Sequence, residues 1–144
     1  MTTIAANREM MVSDSKVTLE GQRGDSMYEA QKIQEKNGEL IGCAGTNDHI
    51  EVFMKWYGSK RKKPILPKDA DFEALILKKD GRLVLYDETF SYDAIKNPFY
   101  AIGSGGSAAL GALHMGATLE QAIEIACKID PASGLPIQML NLPK

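Results

Sequence analysis

Thr2 is the residue best placed for chemistry. It follows Met1 and opens the stretch Thr2-Thr3-Ile4-Ala5-Ala6. A threonine hydroxyl is a poor nucleophile without a base beside it. Removal of Met1 would give this one its own base, the α-amine a few bonds from Oγ. That amine has an ordinary pKa of roughly 7.7–8.0, so much of it is neutral near neutral pH. While Met1 stays, the Thr2 nitrogen is an amide and accepts no proton. Methionine ahead of a small residue is generally trimmed in cells, so a chain starting at Thr2 is expected. Met-Thr openings are common, and this one gains meaning only from the residues that follow.

Other reactive groups have plainer readings. Gly103-Ser104-Gly105-Gly106-Ser107-Ala108 follows a strand and opens a helix, as a dinucleotide-binding turn does. It lies in the last third of the chain, with no clean βαβ unit and no placed ribose-binding acid after it. No Gly-Lys-Ser/Thr closes it, so it is not a nucleotide P-loop either. Lys60-Arg61-Lys62-Lys63 sits among prolines and reads as a solvated loop rather than a nucleic-acid patch or targeting signal. His49 and His114 are far apart without metal-like neighbours, and His114 is expected to pack on its helix. Met10-Met11 reads as sheet core. Cys43 and Cys127 lie in apolar surroundings with no metal spacing, which suits buried, reduced thiols in a cytoplasm.

Composition narrows the class. The 144 residues fit one domain, 1–144, with 44% hydrophobic and 25% charged residues, an ordinary balance for a soluble globular protein. A net charge of -2 predicts no general affinity for nucleic acid or anionic membrane. No apolar run reaches the roughly 18–20 residues that span a bilayer. The N-terminus lacks the basic-then-apolar order of a secretory signal. A cytoplasmic location is the expectation.

The elements that would carry these residues alternate between strand and helix runs. Strands are expected over 2–7 and 10–18 around Asn7-Arg8-Glu9, the second ending in Ser13-Asp14-Ser15-Lys16, with a loop at Gly21–Ser26. A short segment at 28–34 leads to the hairpin turn Lys36-Asn37-Gly38-Glu39 and a buried strand at 40–44. Thr46 or Asn47 caps a helix over 47–57 with Ile50, Phe53, Met54 and Tyr57 on one face. Strands at 72–77 and 82–86 join at Asp80-Gly81, and another runs near 99–102. Helices follow at 105–115, ended by Gly116, and 118–129, with Thr118 and Gln121 as a capping box. Residues 137–140 read as a last strand. This order argues for antiparallel sheets covered by helices, an α+β class, and not for βαβ winding.

Six pieces carry a family resemblance: Thr2-Thr3-Ile4, Ser13-Asp14-Ser15, Lys32-Ile33, Gly42-Cys43-Ala44-Gly45, Ala101-Ile102-Gly103-Ser104-Gly105-Gly106 and Asp130-Pro131-Ala132-Ser133-Gly134. In this order they resemble the proteasome β-subunit family of N-terminal nucleophile hydrolases. The nearest likeness is to the bacterial two-component peptidase that works beneath an ATP-driven unfoldase. The resemblance implies a four-layer αββα sandwich, two antiparallel sheets face to face with helices outside.

It also implies roles. Thr2 would be the nucleophile and its amine the base. Lys32 would sit beside Thr2 Oγ, favouring the alkoxide-like state, and Asp14 would pair with Lys32. The Gly45 N–H would donate to the oxyanion, a contribution usually of about 2.7–4 kcal/mol. Ser104, Asp130 and Ser133 would form the outer hydrogen-bond shell of the amine. Val17, Ala30 and Cys43 would fall near the specificity pocket and favour a modest apolar side chain. The chemistry needs no cofactor and no metal, although a cation near the 130–134 turn is compatible with it. The partners implied are copies of the chain in a homo-oligomeric ring, an unfolded or peptide substrate, and an ATP-dependent unfoldase.

The chain also departs from the family pattern. Its first hairpin is trimmed around Arg8-Glu9, and between Gly45 and the middle strands there is room for one helix where the family has two. Residues 58–71 are too short and too rich in proline and lysine for the second. In the family that helix contributes to ring contacts, so the resemblance implies neither ring size nor unfoldase docking here, while the proposed active site is untouched. Three readings follow: a threonine endopeptidase, a catalytically silent proteasome-like scaffold, and an amidohydrolase of the same fold.

Overall fold

The structure, a computed structural model, describes residues 2–17 and 28–143. The expected loop at Gly21–Ser26 and Met1 lie outside the described residues. The elements run β1 (Thr3–Asn7), β2 (Met10–Ser13), β3 (Lys16–Val17), β4 (Tyr28–Glu29), β5 (Ile33–Lys36), β6 (Glu39–Gly45), α1 (Asn47–Trp56), β7 (Phe72–Leu77), β8 (Leu83–Tyr86), β9 (Tyr92–Ile95), β10 (Phe99–Gly103), α2 (Gly106–His114), α3 (Leu119–Ile129) and β11 (Gln138–Asn141).

Alternation along the strands builds the layers. One sheet has the order β10-β1-β2-β11 and the other β5-β6-β7-β8-β9; β3 and β4 form a separate two-stranded ribbon. Every described pairing is antiparallel. Ile4, Ala6 and Met11 of the first sheet meet Leu40, Ala44, Leu75, Leu77 and Leu83 of the second. On the other face of the first sheet, Ala5, Val12 and Ala101 pack under α2 and α3 through Ala109, Leu113, Ala122, Ile123 and Ala126. On the far face of the second sheet, α1 docks through Phe53, which is fully buried. Its ring centroid lies 5.0 Å from Phe72, 5.1 Å from Phe90 and 5.2 Å from Tyr86. The result is the expected αββα sandwich, with one helix on the α1 side among the described residues and none over 58–71.

The sheets approach closely at Gly42. A Cβ there would stand 2.8 Å from Ile4 Cγ2 and 3.1 Å from Met11 Sδ. No side chain fits unless Ile4 and Met11 give way. Two residues along each strand from this contact stand Thr2 and Ala44, which line one recess. The missing side chain therefore draws the two strand ends that flank the candidate site together.

Several boundaries differ from the sequence reading. The strand expected over 10–18 breaks after Ser13, because the Asp14 carboxylate accepts a hydrogen bond from the Lys16 N–H, 3.2 Å away, and folds the chain into an Asx-type turn. The segment 28–34 is β4, an irregular stretch at 30–32, and the start of β5. β9 is a short edge strand, exposed over Tyr92, Asp93 and Ala94, and gives little periodic signal. Thr46 stands at the N-cap of α1, but its side chain makes no capping bond. The Thr118–Gln121 capping box forms as expected, with bonds of 2.9 and 3.1 Å. Met11 is core, whereas Met10 is half-buried against the helix layer. Lys60-Arg61-Lys62-Lys63 is exposed loop. His114 is exposed and meets the Phe99 ring edge-on at 5.0 Å. No described helix is long and apolar enough to cross a membrane.

The same substitution at two glycines is expected to have opposite signs. Gly42→Ala overpacks the inter-sheet contact and lowers unfolding free energy by about 1–3 kcal/mol. Gly111→Ala, inside α2 with nothing within 4 Å of the added carbon, raises it by about 0.5–1 kcal/mol. Urea denaturation of the two variants checks both.

Candidate active site

Asp14 follows β2 directly, and its N–H donates to Thr3 O at 3.1 Å, so the two-strand register delivers its side chain next to the start of β1. The carboxylate is wholly buried. Oδ1 accepts from Thr3 N at 3.0 Å and Lys32 Nζ at 2.9 Å. Oδ2 accepts from Lys16 N at 3.2 Å, Gly134 N at 3.0 Å and Lys32 Nζ at 3.0 Å. A buried charge is tolerated only when paired and hydrogen-bonded, and both conditions are met here. Burial pulls the Lys32 ammonium below the ordinary lysine pKa; the charge and hydrogen bonds of Asp14 oppose that fall.

A second polar chain runs behind Thr2. Thr3 Oγ1 and Ser133 Oγ are 2.7 Å apart, Ser133 Oγ donates to Asp130 Oδ2 at 2.7 Å, and Ser104 Oγ donates to the same oxygen at 2.6 Å. Each hydroxyl has one proton. Since Ser133 gives its proton to Asp130, Thr3 is the donor to Ser133. Ser104 also lies 3.4 Å from Thr2 O. Burial alone would raise the Asp130 carboxyl. The hydrogen bonds from Ser104, Ser133 and the Ala132 N–H outweigh it and hold the group below the usual carboxylate range. Gly105 is required here, because a Cβ would collide with Thr3 Oγ1.

Two openings flank Thr2. A cavity of about 310 Å³ is lined by Thr2, Val17, Ala30, Lys32, Cys43 and Gly45, with Ile41, Asn47, Ile50, Gln31, Gln34 and Lys16 completing the wall. On the other side a recess of about 270 Å³ is shared by Thr2, Gly45, Ser104 and Asp71 among others. Gly45 has φ +129°, and a Cβ there would strike the Asp71 carbonyl, so the turn that brings it beside Thr2 needs glycine. Among the described residues no group of three His, Cys, Asp or Glu side chains is arranged to hold a metal ion.

The structure thus brings Thr2, Lys32, Gly45, Val17, Ala30 and Cys43 to one cavity, pairs Lys32 with Asp14, and joins Ser104, Asp130 and Ser133 in one chain. Burial pushes the Cys43 thiol up to about 12. Cys127 is half-buried rather than buried, and its thiol is pushed up to about 11, chiefly by burial. Sequence reading missed Thr3 as a link to Ser133; its signal was a polar residue among Ile4, Ala5 and Ala6. It also missed Gln138, Asn47 and Ile50.

By sequence, no protein-family model and no curated protein matches the chain. Solved structures do. The eukaryotic HslV from Trypanosoma brucei superposes with a TM-score of 0.74 at 20% identity, over 99% of this chain and 100% of that one. The Thiobacillus denitrificans protein BPH gives 0.72 at 17% identity, over 99% and 98%. The fold is the proteasome β-subunit fold. BPH has also been solved in complex with epoxomicin, and that structure matches at 0.70 and 16% identity, over 99% of each chain. At these identities the proteasome-type likeness is one of architecture.

Two measurements probe the site without turnover. Asp14→Asn leaves the Lys32 ammonium without its anion and turns an amide N–H₂ toward backbone donors. It is expected to lower unfolding free energy by about 3–5 kcal/mol in urea titrations. Asp130, held below its unfolded value, stabilises the fold above the unfolded carboxylate pKa of about 3.9. That contribution is lost as pH falls through the folded value, and Asp130→Asn removes this part of the acid dependence.

Proposed function

We propose that the chain is a threonine peptidase of the proteasome type, acting through Thr2 after loss of Met1. One observation carries the reading: a buried carboxylate–ammonium pair, Asp14–Lys32, opens through Lys32 on the same cavity as Thr2, at the head of β1.

The chemistry follows from the residues. The Thr2 amine takes the Oγ proton as Oγ adds to a peptide carbonyl. Lys32, kept charged by Asp14, stabilises the negative charge developing on Oγ. The oxyanion of the tetrahedral adduct accepts from the Gly45 N–H. The adduct collapses, the C–N bond breaks, and the ammonium returns its proton to the leaving nitrogen. Water, deprotonated by the freed amine, then attacks the Thr2 ester and releases the acid, restoring Oγ–H. Ser104, Asp130 and Ser133 orient the amine's surroundings. Val17, Ala30 and Cys43, with Ile41 and Ile50, supply the apolar part of a mixed cavity wall, suited to a modest apolar side chain. The family resemblance supports a homo-oligomeric ring and an unfoldase partner, and a cytoplasmic setting goes with them.

The alternative is a silent scaffold, the outcome if Met1 is retained, because while attached it makes the Thr2 nitrogen an amide. The two readings separate on mass. The peptidase loses one methionine on expression and is labelled at Thr2 by epoxomicin. Thr2→Ala abolishes labelling and turnover, and Lys32→Ala lowers kcat/KM by about a hundredfold or more. A protein that keeps Met1 and resists epoxomicin is the scaffold. Rising pH deprotonates Lys32, so kcat/KM falls on an alkaline limb. Asp14→Asn removes the charge opposing desolvation, and that limb is expected to move to lower pH in a pH–rate profile.

A further inference from the structure

We propose that Gln138 is a positioning residue for Lys32, its side-chain amide replacing a strand pairing that the Lys32 segment lacks. The inference rests on the peptidase reading above. Residues 30–32, between β4 and β5, belong to no ladder. The direction of a lysine side chain follows its backbone, and this backbone is held by hydrogen bonds outside a ladder. Ala30 N donates to Ser15 O at 2.9 Å. Two further backbone groups of the stretch meet one side chain: Gln138 Nε2 donates to Ala30 O at 2.8 Å, and Gln138 Oε1 accepts from Lys32 N at 3.1 Å.

A residue in an antiparallel ladder offers its neighbour one donor and one acceptor, and a glutamine amide offers the same pair. The orientation of the amide is fixed by its partners. A carbonyl cannot donate and a backbone N–H cannot accept, so a flipped amide would lose both bonds.

The position of Gln138 links both halves of the ion pair. In the β2–β11 ladder Gln138 stands opposite Ser13, the residue before Asp14, and Ser13 Oγ reaches Gln138 Oε1 at 3.5 Å. One residue of β11 therefore sets the backbone beside the anion and the backbone that bears the cation. Strand alternation puts Gln138 on the face of Leu140, which packs between the sheets, where an apolar residue is the default. Gln138 does not line the cavity around Thr2 and touches no reacting atom.

The test uses the full chain carrying Gln138→Leu or Gln138→Glu, with peptide turnover, epoxomicin labelling and amide hydrogen exchange. Gln138→Leu removes both bonds. Expected are a fall in kcat of about tenfold to a hundredfold with KM nearly unchanged, slower labelling of Thr2, faster exchange at the Lys32 N–H, and an alkaline limb moved to lower pH. Gln138→Glu keeps the acceptor, loses the donor and adds negative charge near Lys32, so kcat falls while the limb moves to higher pH. A purely structural role would change the melting temperature and leave the alkaline limb in place in both variants. Wild-type kcat and limb in either folded variant, or unchanged exchange at Lys32, overturns the proposal. If the unmodified protein neither turns over peptide nor reacts with epoxomicin, the peptidase reading fails, and exchange at Lys32 still decides whether Gln138 holds the segment.

Discussion

One carboxylate organises this molecule. Asp14 is buried, and a lone ionised group at that depth would be too costly to keep. It is kept because four segments turn donors toward it: the head of β1 through Thr3, the start of β3 through Lys16, the last turn through Gly134, and the Lys32 ammonium. Removing any backbone donor leaves the charge less satisfied, so the geometry of all four is coupled. The strand break at Asp14, the exit of β3 and the closure of the 130–134 turn all follow from satisfying one anion.

β1 then divides its labour by alternation. Thr3 points to the helix layer and ties itself to Ser133, while Ile4 and Ala6 fill the space between sheets. Thr2, one residue earlier, opens on the cavity. A shift of one residue in the β1–β10 register would exchange the supporting threonine for the one that lines the cavity. Gly103 guards that register: with φ +94°, its Cα lies so near Thr2 O that no Cβ fits. Gly42 plays the matching part between sheets.

Much of this was legible in the sequence, for physical reasons. β6 and β7 are long apolar runs bounded by turn residues, and α3 announces itself through Thr118 and Gln121. The polar side chains at Asp14, Lys32, Asp130 and Ser133 had no local pattern; only family resemblance grouped them, and the structure brings Asp14 to Lys32 and Asp130 to Ser133 and Ser104. What stayed hidden depended on three-dimensional pairing. β9 carries exposed residues on an edge. Gln138 looks like an ordinary polar position in Ile137-Gln138-Met139-Leu140 until the segment facing it proves to lack a ladder. Thr3 reads as a strand residue until the 130–134 turn arrives beside it.

The Gly134–Asp14 bond joins residues 120 apart in the chain, and the Thr3–Ser133 contact joins residues 130 apart. Such long-range closures form late relative to local turns. A chain still emerging from the ribosome has Thr3 and Asp14 long before it has Ser133 and Gly134, so these two contacts wait for the 130–134 turn. The buried anion therefore gains its full set of donors only once Gly134 has been made.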